Sequence, residues 1–228
     1  DRGRISLVSC TVNDNQADSV GGGVAVYDGD VCLTNCTFSG NSATYGGAFS
    51  IFDGGRLNLS SCTVSGNGAT ADGGGVYPYL GEDHFPIETQ FVLCNCILAG
   101  NSASGLGPDI CTRGPSRLIA SEGYNLIGDS SDGWFEPSAG DLVGTTGAPI
   151  DPRVATLADN GGPTSTMALM PGSPAVDQGD SGSLDADQRG WQRPLDHPDI
   201  PNAGYGADIG AYEVGPAAVR SIAVTIWE

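Results

Sequence analysis

Lysine is absent from the 228 residues; the nine basic residues are all arginine, set against 27 acidic ones. No lysine base or Schiff base is available. The net charge of −18 repels nucleic acid and anionic lipid, and it suits divalent cations or a polycationic surface. Charged residues make up only 16% of the chain, so the surface must be built from Ser, Thr, Asn and the 36 Gly. No run of about 18 apolar residues occurs, which argues against a membrane-spanning helix. Asp1-Arg2-Gly3-Arg4 does not have the form of a signal peptide, so residue 1 is expected to be a processed or truncated start. Seven cysteines leave at least one thiol unpaired within the chain.

One unit is written four times, anchored on Cys10, Cys36, Cys62 and Cys96 at spacings of 26, 26 and 34 residues. The longer gap carries an eight-residue insertion around Tyr79 to His84. Five residues before each Cys the side chain is apolar (Ile5, Val31, Leu57, Phe91), and three before it is always Leu (Leu7, Leu33, Leu59, Leu93). Two residues after the Cys it is apolar again (Val12, Phe38, Val64, Leu98). The alternation changes phase between these halves, and a strand cannot change its buried face without a bend. The corner is therefore placed at Ser9, Asn35, Ser61 and Asn95.

Asn15, Asn41, Asn67 and Asn101 follow five residues after each Cys, and glycine clusters such as Gly46-Gly47 come next, before a further apolar piece. Short strands separated by tight turns, in about two dozen residues per unit, describe one turn of a right-handed parallel β-helix. Equivalent residues should then stack at about 4.8 Å, giving a cysteine ladder inside the tube and an asparagine ladder at a corner. The Gly-Gly and Asn repeats resemble those of polymorphic outer-membrane proteins and other β-helical adhesins.

The rhythm fades after Ser116. Residues 1–115 read as regular coils, 116–217 as irregular coils and a cap continuous with them, and 218–228 as a separate strand that could pair between subunits. Five ordered motifs fill the later part: Asn125 to Gly128, Leu157 to Pro163, Pro171 to Asp177, Asp187 to Gly190 with Arg193-Pro194, and Asp208 to Glu213. Together they resemble the C-terminal part of the bacterial choice-of-anchor Q surface proteins. The resemblance implies a secreted β-helix at the cell surface, tethered by an anchor that varies between members.

For chemistry, polysaccharide lyases and hydrolases are the rival to a structural or adhesive role. Asp28, Asp30, Asp53 and Asp72 all lie close to glycine and read as turn residues. His84, beside Glu82 and Asp83, and His197, after Asp196, are isolated acid–base candidates; no catalytic set is assigned. Asp177, Asp180, Asp185 and Asp187 offer the oxygen ligands Ca²⁺ prefers, but without an ordered EF-hand loop. The competing reading pairs these acids with Arg189 and Arg193, and adds Asp208 and Glu213 as partners that pin the cap. The cysteines read as buried free thiols; Cys111 with Cys94 or Cys96 is the first pairing to test should a disulfide form. Trp134 and Trp191 suit either cap packing or carbohydrate binding. The expected role is a non-catalytic extracellular scaffold, adhesin-like or stacked into a filament through the open first coil and the terminal strand, with a surface glycan as a further partner.

Overall fold

The computed structural model describes residues 3–52, 54–79, 90–112 and 119–215. The first coil holds β1 (Arg4–Val8), β2 (Thr11–Asn13) and β3 (Val24–Tyr27). The second holds β4 (Asp30–Thr34), β5 (Thr37–Ser39), β6 (Ser42–Ala43) and β7 (Phe49–Phe52). The third repeats it with β8 (Arg56–Ser60), β9 (Thr63–Val64), β10 (Gly68–Ala69) and β11 (Val76–Pro78). The fourth carries β12 (Gln90–Cys94), β13 (Ile97–Leu98) and β14 (Ser102–Ala103), and β15 (Ile119–Ser121), β16 (Leu126–Ile127) and β17 (Leu142–Val143) continue the stack.

Strands pair only with their counterparts in neighbouring coils. The sheets run β1-β4-β8-β12-β15, β2-β5-β9-β13-β16-β17, β3-β7-β11 and β6-β10-β14. Every strand-to-strand pairing is parallel, and the register matches the repeat residue by residue: Ile5 over Val31, Val31 over Leu57, Leu57 over Phe91. The chain is thus a right-handed parallel β-helix. All four predicted corner residues take the left-handed conformation, with φ of 52° at Ser9, 50° at Asn35, 49° at Ser61 and 54° at Asn95. Such a turn reverses which side chain points inward, which is the phase change written in the sequence. The glycine pairs answer a second need, because a Cβ on Gly47 would collide with the carbonyl oxygens of Gly68 and Gly74 in the next coil.

The tube is filled by Val31, Leu33, Leu57, Leu59, Phe91 and Leu93 facing Phe38, Val64, Leu98, Phe49, Ile51 and Val76. Cys36, Cys62 and Cys96 are fully buried among them, while Cys10, in the first coil, is partly exposed. None of the seven cysteines is joined in a disulfide. Residues 80–89, and with them the insertion and His84, lie outside the described residues, as do Asp53 and 216–228; the coil leaves at Tyr79, bonded to Ile51, and resumes at Gln90, bonded to Gly55.

The cap expected at the end of the helix lies elsewhere. After β17 the chain turns back, and residues 152–215 run along the outside of the tube, closed on themselves by antiparallel bridges such as Val154 with Leu169 and Gly179 with Ala207. Thr164 and Ser165 reach the first coil at Ser9 and Thr11, Ala186 and Gln188 the second at Asn35 and Thr37, Ala211 the third at Thr63, and Gly210 the fourth at Asn95. This strap encloses a second apolar core outside the tube, made of Ile97, Ala99 and Leu126 from the helix with Leu169, Ala175, Val176 and Ile209. Its cause is a departure in the repeat. The residue after the anchor Cys is Thr11, Thr37 and Thr63 in three coils but Ile97 in the fourth, so an outward position becomes apolar and has to be covered.

Candidate functional site

Two ladders run up the tube. In the asparagine ladder each Oδ1 accepts from the backbone N–H and the Nδ2 of the Asn in the coil before. Asn15 gives to Asn41, Asn41 to Asn67 and Asn67 to Asn101, at 2.9–3.2 Å. The last member is a residue the sequence reading passed over: Asn101 gives both bonds to Oδ1 of Asp109, whose Oδ2 accepts the N–H of Asp129. The cysteine column also changes chemistry. Cys62 N–H points to the Cys96 sulfur, Cys96 N–H to Oδ1 of Asn125, and Asn125 N–H to Asp141. The hydrogen bond with Cys62, then burial, pushes Cys36 well above the ordinary thiol range, and burial does the same to Cys62, so both behave as small hydrophobes rather than nucleophiles.

The densest polar cluster sits where the strap meets the corner column. Arg193 is fully buried; its Nε donates to Glu213 at 2.7 Å and its Nη2 to the Gly210 carbonyl at 2.8 Å, while Nη1 faces Oδ1 of Asn35. Arg189 grips Asp187 through Nε and Nη2 at 2.8 and 2.6 Å and lies over the Tyr212 ring at 3.6 Å and the Trp191 ring at 4.3 Å. Glu213 also accepts from the N–H groups of Leu195 and Asp208; Asp208 accepts from Asp177 and Val214, and Asp177 from His197. Four buried carboxylates, Asp177, Asp187, Asp208 and Glu213, therefore share two guanidiniums. The excess negative charge is expressed in protonation: burial, with Glu213 beside it, pushes Asp208 from 3.8 up to about 7, and burial raises Asp177 as well.

The four aspartates considered as Ca²⁺ ligands do not converge. Asp187 is held by Arg189, Asp177 binds the His197 backbone, and Asp180 closes its own turn at Gly182. Among the described residues no group of three or more His, Cys, Asp or Glu is placed to hold a metal ion. Short spacing in sequence does not bring them together, because the strap turns between these residues and gives Asp177, Asp180 and Asp187 different partners. Arg189, Arg193, Asp208 and Glu213 do come together, as a pin against the flank of the helix rather than over its end. The Nε2 of His197 donates to the Val214 carbonyl at 3.1 Å. Trp191 packs under Arg189, whereas Trp134 stands out from a separate loop on the helix and is 61% exposed.

The buried acids give a pH dependence whose sign is fixed. Asp208 at about 7 and Asp109 at about 6 both sit above the ordinary 3.8, so between those values the folded chain holds more protons than the unfolded one. Stability should then fall as pH rises from about 4 to about 7. A series of thermal melts across that range checks this, with Asp208→Asn expected to flatten its upper part; an unchanged slope in the variant would mean that Asp208 is not the titrating group.

Residues 1–112 match the family model described as a right handed beta helix region. No curated protein and no solved structure matches the chain. The match ends with the regular coils and leaves the strap and its ionic pin outside it.

Proposed function

We propose that this protein is a non-catalytic structural element of a bacterial cell surface, adhesin-like in kind. The observation that carries the reading is the strap. Its buried acids and both of its buried arginines are engaged in tying the strap to itself, with Arg193 also reaching Asn35 on the helix, and Asp109 and Asp141 are engaged in the ladders. A rod with a covered flank and two internal amide and thiol ladders is suited to bearing load and presenting a surface. Four of the five C-terminal motifs lie on this strap and the first lies on β16 of the helix, and their resemblance to choice-of-anchor Q surface proteins supports an extracellular setting.

Polysaccharide lyases and hydrolases remain the reading to beat, because fold alone does not fix function. Incubation with a panel of neutral and acidic polysaccharides, with and without Ca²⁺, should yield neither new reducing ends nor unsaturated products. Turnover that disappears in His84→Ala or His197→Ala would replace the structural reading with an enzymatic one.

A further inference from the structure

The loop after β16 holds one large aromatic side chain out from the body of the helix. Phe135 turns inward and packs on the tube core, while its neighbour Trp134 points outward. The loop is fixed rather than loose: Oδ2 of Asp132 accepts the Gly107 N–H, the Asp132 carbonyl accepts the Thr112 N–H, and the Trp134 N–H donates to Oγ1 of Thr112. Gly133 lies so close to Ile110 that a side chain there would displace it. Among the described residues the indole has no ring contact and no hydrogen bond from its own nitrogen.

Two hollows meet at this tryptophan. One, of about 380 Å³, has a wall of Ile119, Ala120 and Pro137 beside Trp134, Glu136 and Ser138; the other, of about 300 Å³, is lined by Ser131, Asp132, Trp134, Phe135 and Glu136. Both fall in the range of small-molecule sites, roughly 300–1,000 Å³. An aromatic plane bordered by hydroxyls and a carboxylate suits a pyranose, which offers a face of C–H groups to the ring and a rim of hydroxyls to the polar border. Glu136, Asp132 and the overall charge of −18 disfavour an anionic sugar.

We propose that Trp134 and its two hollows form a binding site for an uncharged glycan chain, with neighbouring sugar units on either side of the indole. The site rests on the adhesive reading and names its ligand class. Cellotetraose, mannotetraose, N-acetylated chitotetraose and trigalacturonate would be titrated against the whole protein, following indole emission and heat, and the same mixtures analysed for cleavage. At least one neutral oligosaccharide should bind and trigalacturonate should not. Trp134→Ala should weaken binding about tenfold or more, a loss of roughly 1.4 kcal/mol. Trp134→Phe should fall between that and the parent. Tyr205→Ala, which removes an aromatic 79% exposed on the strap, should bind as the parent does. No binding by any neutral sugar, equal binding by trigalacturonate, or full binding by Trp134→Ala would overturn the site. Cleavage of a bound sugar would instead overturn the non-catalytic reading and leave the site standing.

Discussion

Replacing Arg193 with alanine should destabilise the strap by about 3–5 kcal/mol, because it leaves the Glu213 carboxylate, with Asp208 beside it, buried without the guanidinium it pairs with. The guanidinium does more than balance charge: it also donates to the Gly210 carbonyl and faces Asn35, so its loss orphans groups on both the strap and the helix. The strap should come away first. Urea titration would show an early transition, and limited proteolysis would cut within 152–215 before the coils. The double variant Arg193→Met, Glu213→Leu should recover much of the loss, since a buried ion pair replaced by apolar groups of similar size is often near neutral. A cost below about 1 kcal/mol for Arg193→Ala would mean that the second apolar core, not the pin, holds the strap.

How much of this was legible depended on whether the relevant partner was one coil away or half a chain away. The coil register, the four left-handed corners and both ladders follow from side chains that repeat against copies of themselves, so spacing alone exposes them. Asp109 broke the pattern because the ladder's last acceptor arrives eight residues after Asn101 within the same coil, not one repeat later. Asn125 in place of a fifth cysteine was hidden likewise, 29 residues after Cys96, at a spacing set by a shorter loop. The strap was misplaced because a terminal cap is the usual answer to an open edge, and the sign against it was confined to a short outward column: Ile97 where threonine stood three times before, Ala99 where Asn or Ser stood, and Leu126 stacked on Ile97. Gln188, 151 residues from Thr37 and within 2.6 Å of it through their side chains, carries no local signal at all.

The asparagine ladder should fail in proportion to depth, and Asn67→Ala is expected to be its most damaging substitution. Oδ1 of Asn67 accepts from both the N–H and the Nδ2 of Asn41, while its own Nδ2 donates to the Phe38 carbonyl and to Asn101. Alanine keeps the backbone bond to Asn101, and the Phe38 carbonyl still accepts from the Ser65 N–H, but the Asn41 N–H is left buried without its acceptor, at about 1–3 kcal/mol. Asn15→Ala removes a member exposed to solvent, where water replaces what is lost, and should cost less than about 1 kcal/mol. Chemical denaturation of the two variants side by side tests this, and equal losses would show that the amides do not act as a directional chain. Direction is the central point, because between neighbouring asparagines the Oδ1 always accepts from the coil before, while the N–H and Nδ2 donate to the Oδ1 of the next member. Only the final position needs acceptors alone, and there the chain places Asp109.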